Sequence, residues 1–479
     1  EVAMTDSAAH APATGAARPA TLPGPRRAGD RVRALRGLLS EPVPVLDELG
    51  ERFDGTFGIR LGPMTLAVVG NPAHVADLLA LPTDHFVWGH VANTLRFYVG
   101  DGSMIVSDGA DHRRRRGAVQ PALARRRLDR WIPMIVAETD AVIDGELAAA
   151  AAGPVDLFPI GRRLVLRIVT QALFGPELAG RTDELDALIE PAKTYLEQPG
   201  LRQLPHPVPG TRRARARQAR AALDAVIDGE IARRQRAGDS DGRDDVLAML
   251  LAAGPDGTGE LSMDEIRDQV VTLIGAGFDT TASAVAWTVL EAASNPTIWT
   301  DLRAEADAVL GDRPVDALGR AELDALEVAA SVVAESLRLH PPGVFTPRLT
   351  TRAIDVGPYR VPKRSMVLWS PYLAGRDPAT WPDPTTFDPG RHRDPTPEQA
   401  AQQRLALAPF GRGPRQCIGF ALAQMELTLI TARLAQCVDL TLARRGIPPA
   451  YGMVVNRPLG GVPATVTPAA GAATHHAAR

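Results

Sequence analysis

Phe410-Gly411-Arg412-Gly413-Pro414-Arg415-Gln416-Cys417-Ile418-Gly419-Phe420 is the stretch on which the reading of this chain turns. The run after it, 421–434, carries apolar residues at helical spacing. The stretch therefore reads as a glycine-rich loop that delivers one cysteine to the front of a helix. Glycine reaches backbone angles that other residues resist, and Pro414 stiffens what the glycines loosen. Unpaired N–H groups and a partial positive charge at the helix start favour thiolate over thiol. A thiolate held this way is a nucleophile or a metal ligand. A buried structural cysteine is the plainer alternative, and the glycines and arginines beside Cys417 speak against it.

The pattern Phe-x-x-Gly-x-Arg-x-Cys-x-Gly, filled by Phe410, Gly413, Arg415, Cys417 and Gly419, resembles the haem-binding loop of the cytochrome P-450 superfamily. The resemblance implies haem b (iron protoporphyrin IX) as cofactor. It makes Cys417 the metal ligand, an axial thiolate that favours O–O cleavage. It also places Phe410 and Gly411 against the cofactor and brings Arg415 to a haem propionate.

Upstream, 261–293 is the longest helical pattern in the chain. Ser262 stands three residues before Glu265, which predicts a capping box. Inside the run lies Ala276-Gly277-Phe278-Asp279-Thr280-Thr281. A glycine within a helix costs about 1 kcal/mol against alanine, so Gly277 needs a reason, such as room for something flat. Thr280 can turn its hydroxyl to the carbonyl of residue 276 and loosen the helix there. The segment resembles the superfamily's oxygen-activation motif, Ala/Gly-Gly-x-Asp/Glu-Thr. That resemblance implies that Ala276 and Gly277 lie against the cofactor. The catalytic pair is then Thr280, beside the reacting oxygen, and Asp279, as proton supply.

Two further motifs follow the same pattern. Glu335-Ser336-Leu337-Arg338 puts a carboxylate and a guanidinium on one helix face. It matches the superfamily's Glu-x-x-Arg, whose third member is found here as Arg391 in Phe387-Asp388-Pro389-Gly390-Arg391. Glu335, Arg338 and Arg391 are expected to form a structural clasp of charge-assisted hydrogen bonds. His112 and Arg116 share a helix face at four-residue spacing. The resemblance assigns both to the haem propionates, together with Arg348 from Val344-Phe345-Thr346-Pro347-Arg348. A dianionic edge needs donors that stay charged, which suits arginine.

Composition sets outer limits. The 479 residues carry a formal net charge of −3, so nothing global points to nucleic acid. The two cysteines, Cys417 and Cys437, form no disulfide framework and fit a reducing cytosol; Cys437 reads as packing. No apolar run reaches the length of a membrane span. Residues 1–36 and 466–479 are expected to be disordered, leaving 37–465 as a single haem domain.

Local patterns predict a hairpin over 56–61 and 65–69, and a helix capped by Asn71. Helices are expected over 131–150, 155–174, 181–197 and 211–236, with a break at 204–210. The segments 359–362 and 366–369 read as a strand pair. The expected fold is mainly α with small β-sheets, the cytochrome P-450 fold, with haem between a long central helix and the cysteine loop. Trp88, Phe97, Ala276, Val344, Phe345, Met453 and Val454 are expected to line the substrate pocket.

The function implied is a soluble, cytoplasmic, bacterial monooxygenase of secondary metabolism. It hydroxylates a hydrophobic small molecule, with terpenoids favoured, using O2. No flavin or iron–sulfur domain is evident, so electrons are expected from a separate ferredoxin and reductase. A peroxide-driven peroxygenase is one alternative, and the pair Asp279-Thr280 argues against it. A non-catalytic haem protein is the other; there the pair would be idle.

Overall fold

The helix Met263–Ser294 starts where Ser262 and Glu265 cap each other. The Ser262 hydroxyl accepts from the Glu265 N–H at 3.2 Å, and the Glu265 carboxylate accepts from the Ser262 N–H at 3.0 Å. It ends at Asn295, whose side chain accepts from the Thr297 N–H and so opens the next helix, Pro296–Val309. Helices Leu157–Phe174, Glu327–Leu339 and Phe420–Cys437 pack around this central helix. Their apolar faces merge with Val270, Ile274 and Phe278 into one large core. Each such side chain contributes roughly 1.5–3 kcal/mol on burial. The structure is a computed structural model that describes residues 19–469, except 63, 91–92, 150–152, 204–207, 238–244 and 253–260.

A five-stranded sheet lies beside the helices. Its order is Thr56–Leu61, Met64–Val69, Met366–Trp369, Thr346–Thr350, Phe86–Val87. Only the second pairing is parallel. Strand alternation splits Met64–Val69 between two cores: Leu66 and Val68 face one, Ala67 and Val69 the other. The fold is mainly α with small sheets, as expected. The hairpin and the Asn71 cap form as predicted, with the Asn71 side chain accepting from the Ala73 N–H at 3.1 Å.

Several expectations are corrected. Residues 20–21 are not disordered but pair in parallel with Tyr359 and Arg360, and Ala28–Leu38 is a helix that buries Ala34 and Leu38. Arginine and alanine dilute the apolar signal of that helix, so its narrow buried stripe is hard to see. Residues 466–468 belong to the strand Pro463–Pro468, which pairs with Val438–Leu442. The remaining parts of the two segments expected to be disordered, 1–18 and 470–479, lie outside the described residues, as does 204–207 of the expected lid break. Strand Tyr359–Val361 pairs with Ile354–Val356, not with Met366–Trp369, which joins the larger sheet. The central helix is itself long and apolar enough to cross a membrane by length and composition, contrary to the sequence reading. However, 72% of the apolar window is buried inside the protein.

The clasp that fixes the cysteine side of the fold centres on Glu335, which is fully buried. Arg338 donates to it at 2.8 and 2.7 Å, Arg391 at 3.0 Å, the Asp388 N–H at 2.9 Å, and His392 Nε2 lies 2.8 Å away. Arg338 also donates to the carbonyls of Gly375, Pro384 and Thr386. His392 is a partner that the motif did not announce. Burial pushes the Glu335 carboxyl up, but the hydrogen bonds from Arg338, His392 and Asp388 outweigh it and hold the carboxyl at about 2. A depressed carboxyl stabilises the fold above its ordinary value. That contribution is complete above 4.5 and is lost as pH falls through about 2. Glu335→Ala leaves buried cations uncompensated. Urea unfolding should show a loss of roughly 3–5 kcal/mol at neutral pH that shrinks toward pH 2. A near-neutral effect would refute the clasp.

Candidate active site

Cys417 lies between the short turn Gly413–Arg415 and the helix Phe420–Cys437. Gly411 and Gly413 have φ of 69° and 67°, in the left-handed region. The loop closes through the Cys417 N–H, which donates to the Phe410 carbonyl at 2.8 Å. Cys417 opens into a cavity of about 440 Å³, which Phe410 and Gly411 also line. Burial pushes its thiol up, while the Gly419 N–H and Arg116 work the other way. The expected preference for thiolate is therefore outweighed by desolvation in the protein alone.

The central helix lines the same cavity with Leu273, Ala276, Gly277 and Thr280. Thr280 Oγ1 donates to the Ala276 carbonyl at 2.6 Å, as the spacing predicts. A Cβ on Gly277 would meet the Val169 methyls at 3.6 and 3.7 Å, an ordinary contact, so packing alone does not demand glycine there. Its neighbour Gly275 is required, because a Cβ would fall 2.4 Å from Tyr98 Cε1.

Asp279 is 5% exposed and points away from the cavity. Arg162 Nε and Lys193 Nζ each lie 3.4 Å from its Oδ1, which has no aligned hydrogen bond among the described residues. Arg162 continues to Asp186 at 2.8 Å and to Glu190 at 2.9 Å, and the Glu190 side chain is half exposed. Charges thus run from Asp279 to the surface. Sequence reasoning missed Arg162 and Lys193, which come from two other helices. The only available signal was a cation on each of those amphipathic faces.

One end of the cavity is basic. His112, Arg116, Arg348 and Arg415 all line it. Arg116 donates to the Gln416 carbonyl at 2.8 Å. Arg415 donates to the Ser107 carbonyl at 2.5 Å and to Asp108 at 3.2 Å. The Arg348 side chain makes no hydrogen bond among the described residues, and the Nε atoms of Arg348 and Arg415 are both buried without partners there. Burial pushes both guanidinium groups down to about 10, and the two also repel each other. Burial, with Arg415 and Arg116 nearby, pushes the His112 imidazole down to about 4, so it is neutral at neutral pH. Buried cations with unused donors fit a group that presents a dianionic edge, and Cys417 fits a metal. These residues therefore fit a haem.

The expected substrate-pocket residues divide. Ala276 and Trp88 line the cavity, Trp88 among the arginines. Phe97 packs on Tyr195 with ring centroids 5.0 Å apart, beneath Arg213. Val344 and Phe345 belong to the core beside the sheet. The N–H groups of Met453 and Val454 donate to the Glu197 carboxylate at 2.7 and 3.3 Å. None of these last five lines the described cavity. Its aliphatic wall is instead Met104, Ile105, Val169, Leu173 and Leu273. In sequence these are indistinguishable from core residues, because the helix Leu157–Phe174 is apolar toward both the core and the cavity. Glu426 was also missed. It is buried, lines the cavity, has an unpartnered Oε1 among the described residues, and burial pushes its carboxyl up to about 8.

A family model described as cytochrome P450 matches residues 36–461. The chain is 36% identical over 385 residues to cyclooctatin synthase of Streptomyces melanosporofaciens, covering 79% of this chain and 81% of that one. It is 30% identical over 408 residues to pentalenene oxygenase of Streptomyces avermitilis, covering 83% and 86%. The fold superposes on the retinoic acid-bound cyanobacterial CYP120A1 with a TM-score of 0.80 at 24% identity, covering 94% of this chain and 99% of that one.

The basic end of the cavity yields a sign test. Arg348→Leu removes a buried cation whose side chain makes no hydrogen bond among the described residues. The haem-free variant should be at least as stable as the parent in a thermal melt. Its affinity for added haem should fall roughly 10- to 100-fold, the worth of charge-assisted hydrogen bonds. Unchanged haem affinity would remove Arg348 from the site.

Proposed function

The chain belongs to the cytochrome P450 family and is a monooxygenase, and we propose that it hydroxylates a terpenoid-like hydrophobic molecule. The family implies a haem iron; we assign it as haem b, with Cys417 as ligand. The observation that carries this reading is the meeting of Cys417, Thr280 and the basic residues in one cavity.

When bound, the haem activates dioxygen, so that one oxygen atom enters a C–H bond and the other leaves as water, at the expense of two electrons and two protons. Cys417 would hold the metal as a thiolate, its proton passing to solvent. The Gly419 N–H and Arg116 then favour the thiolate. His112, Arg116, Arg348 and Arg415 would hold the carboxylate edge.

Thr280 spends its hydroxyl proton on the Ala276 carbonyl, which leaves its oxygen lone pairs as acceptors. Asp279 acts as the proton carrier. Its ties to Arg162 and Lys193 connect it to the partly exposed Glu190. To deliver a proton to the cavity, the Asp279 carboxyl swings from Arg162 and Lys193 toward Thr280, one residue along the helix.

Substrate placement is a matter of shape. Two polar residues of the wall are already engaged: Thr272 donates to Asp268 O at 2.6 Å, and Asn93 donates to the Trp88 carbonyl at 2.7 Å. The aliphatic remainder suits a terpenoid, the class suggested by the relative named pentalenene oxygenase. Electrons come from a separate ferredoxin and reductase. Cys417 and Cys437 form no disulfide among the described residues, which accords with a cytoplasmic location.

Incubation with a surrogate ferredoxin, its reductase, NADPH and isotopically labelled dioxygen tests the assignment. One labelled oxygen should enter a terpenoid substrate. Turnover with hydrogen peroxide alone would favour a peroxygenase instead. Asp279→Asn should lower coupled turnover by roughly 100-fold without changing haem content. An unaffected rate would remove Asp279 from the proton path.

A further inference from the structure

Trp88 belongs to none of the motifs, yet it sits among the arginines of the basic end. Its side chain is 8% exposed and lines the cavity. The Arg415 guanidinium carbon lies 4.0 Å from its ring centroid, and that of Arg348 lies 5.3 Å away. Phe86 meets Trp88 edge-on at 5.9 Å and carries Arg348 at 5.0 Å over its own ring. Two cations that repel each other are thus held against one pair of aromatic faces.

The backbone that carries the indole is fixed by one carboxylate. Asp108 accepts from the Trp88 N–H and the Gly89 N–H, each at 2.9 Å, and from Arg415 at 3.2 Å. Asn93 donates to the Trp88 carbonyl, and Arg96 donates to the Gly89 carbonyl at 2.8 Å. A Cβ on Gly89 would fall 2.4 Å from the Val106 carbonyl oxygen, so this approach requires glycine. Asp108 therefore sets both the ring and the guanidinium that stacks on it.

We propose that Trp88 is a positioning residue for the cofactor. Its ring holds Arg415 and Arg348 in the orientation that meets the carboxylate edge, and so sets how tightly haem is kept and how much positive charge its iron feels. This rests on the haem reading above. A cation on an aromatic face is attracted by the ring quadrupole, most strongly by tryptophan and when water is excluded. Leucine would fill space without that attraction, and phenylalanine would keep part of it.

The test uses holoprotein of the parent, Trp88→Phe, Trp88→Leu and Trp299→Leu. Trp299 is a buried tryptophan of the core helix Pro296–Val309, outside the cavity lining. Haem transfer to excess apomyoglobin, reduction potential and melting temperature are measured for each. Trp88→Leu should release haem roughly 3- to 30-fold faster, with Trp88→Phe in between. Its potential should move to more negative values, because loosened guanidinium groups favour the reduced iron less. Trp299→Leu should lower the melting temperature and leave release rate and potential at parental values. Parental release and potential in both Trp88 variants overturn the proposal, whatever their melting temperatures. A parent protein that takes up no haem overturns instead the reading beneath it.

Discussion

A sulfur at the wall of an apolar cavity ionises only when cations or hydrogen-bond donors make up for the lost hydration. In this protein the surroundings of Cys417 do not achieve that alone, since desolvation outweighs the Gly419 N–H and Arg116. The same imbalance with the opposite sign holds at the basic end of the cavity, where the Nε donors of Arg348 and Arg415 are buried without partners among the described residues. One ligand that presents a metal to the sulfur and carboxylates to the arginines resolves both costs together. The chemistry of the site follows from that complementarity.

Holding these opposed demands in register falls to structure far from the sulfur. Glu335 ties the helix Glu327–Leu339 to Asp388, Arg391 and His392. Gln403 then donates to the Arg391 carbonyl at 2.9 Å, carrying the connection into the helix that precedes the cysteine loop. On the other side, Arg348 rides on the sheet strand Thr346–Thr350, paired with Met366–Trp369. Charge buried in the clasp therefore serves to locate charge buried in the site.

What the sequence disclosed and what it hid divide along physical lines. The capping box at Ser262, the Thr280 hydroxyl on the Ala276 carbonyl and the Glu335 clasp depend on neighbours within a few residues or on a dense local motif. They were legible for that reason. Arg162, Lys193 and His392 act through space from other segments, and nothing near them in sequence marks the role. Trp88 stood out by its aromaticity as a pocket residue and does line the cavity; its place against Arg415 and Arg348 was not legible. The aliphatic wall was illegible because a cavity-facing leucine and a core leucine carry the same pattern. The early helix Ala28–Leu38 was hidden by its arginines, of which Arg33 and Arg36 are exposed while Ala34 and Leu38 are buried.

The account stands on sulfur-to-iron ligation by Cys417, and the absorption spectrum of the reduced, carbon monoxide-treated holoprotein reads that bond directly. The account predicts a Soret band at the long wavelength that thiolate ligation produces, and its loss in Cys417→Ala. A band at the shorter wavelength of histidine-ligated haem in the parent protein, or no bound porphyrin, would contradict it.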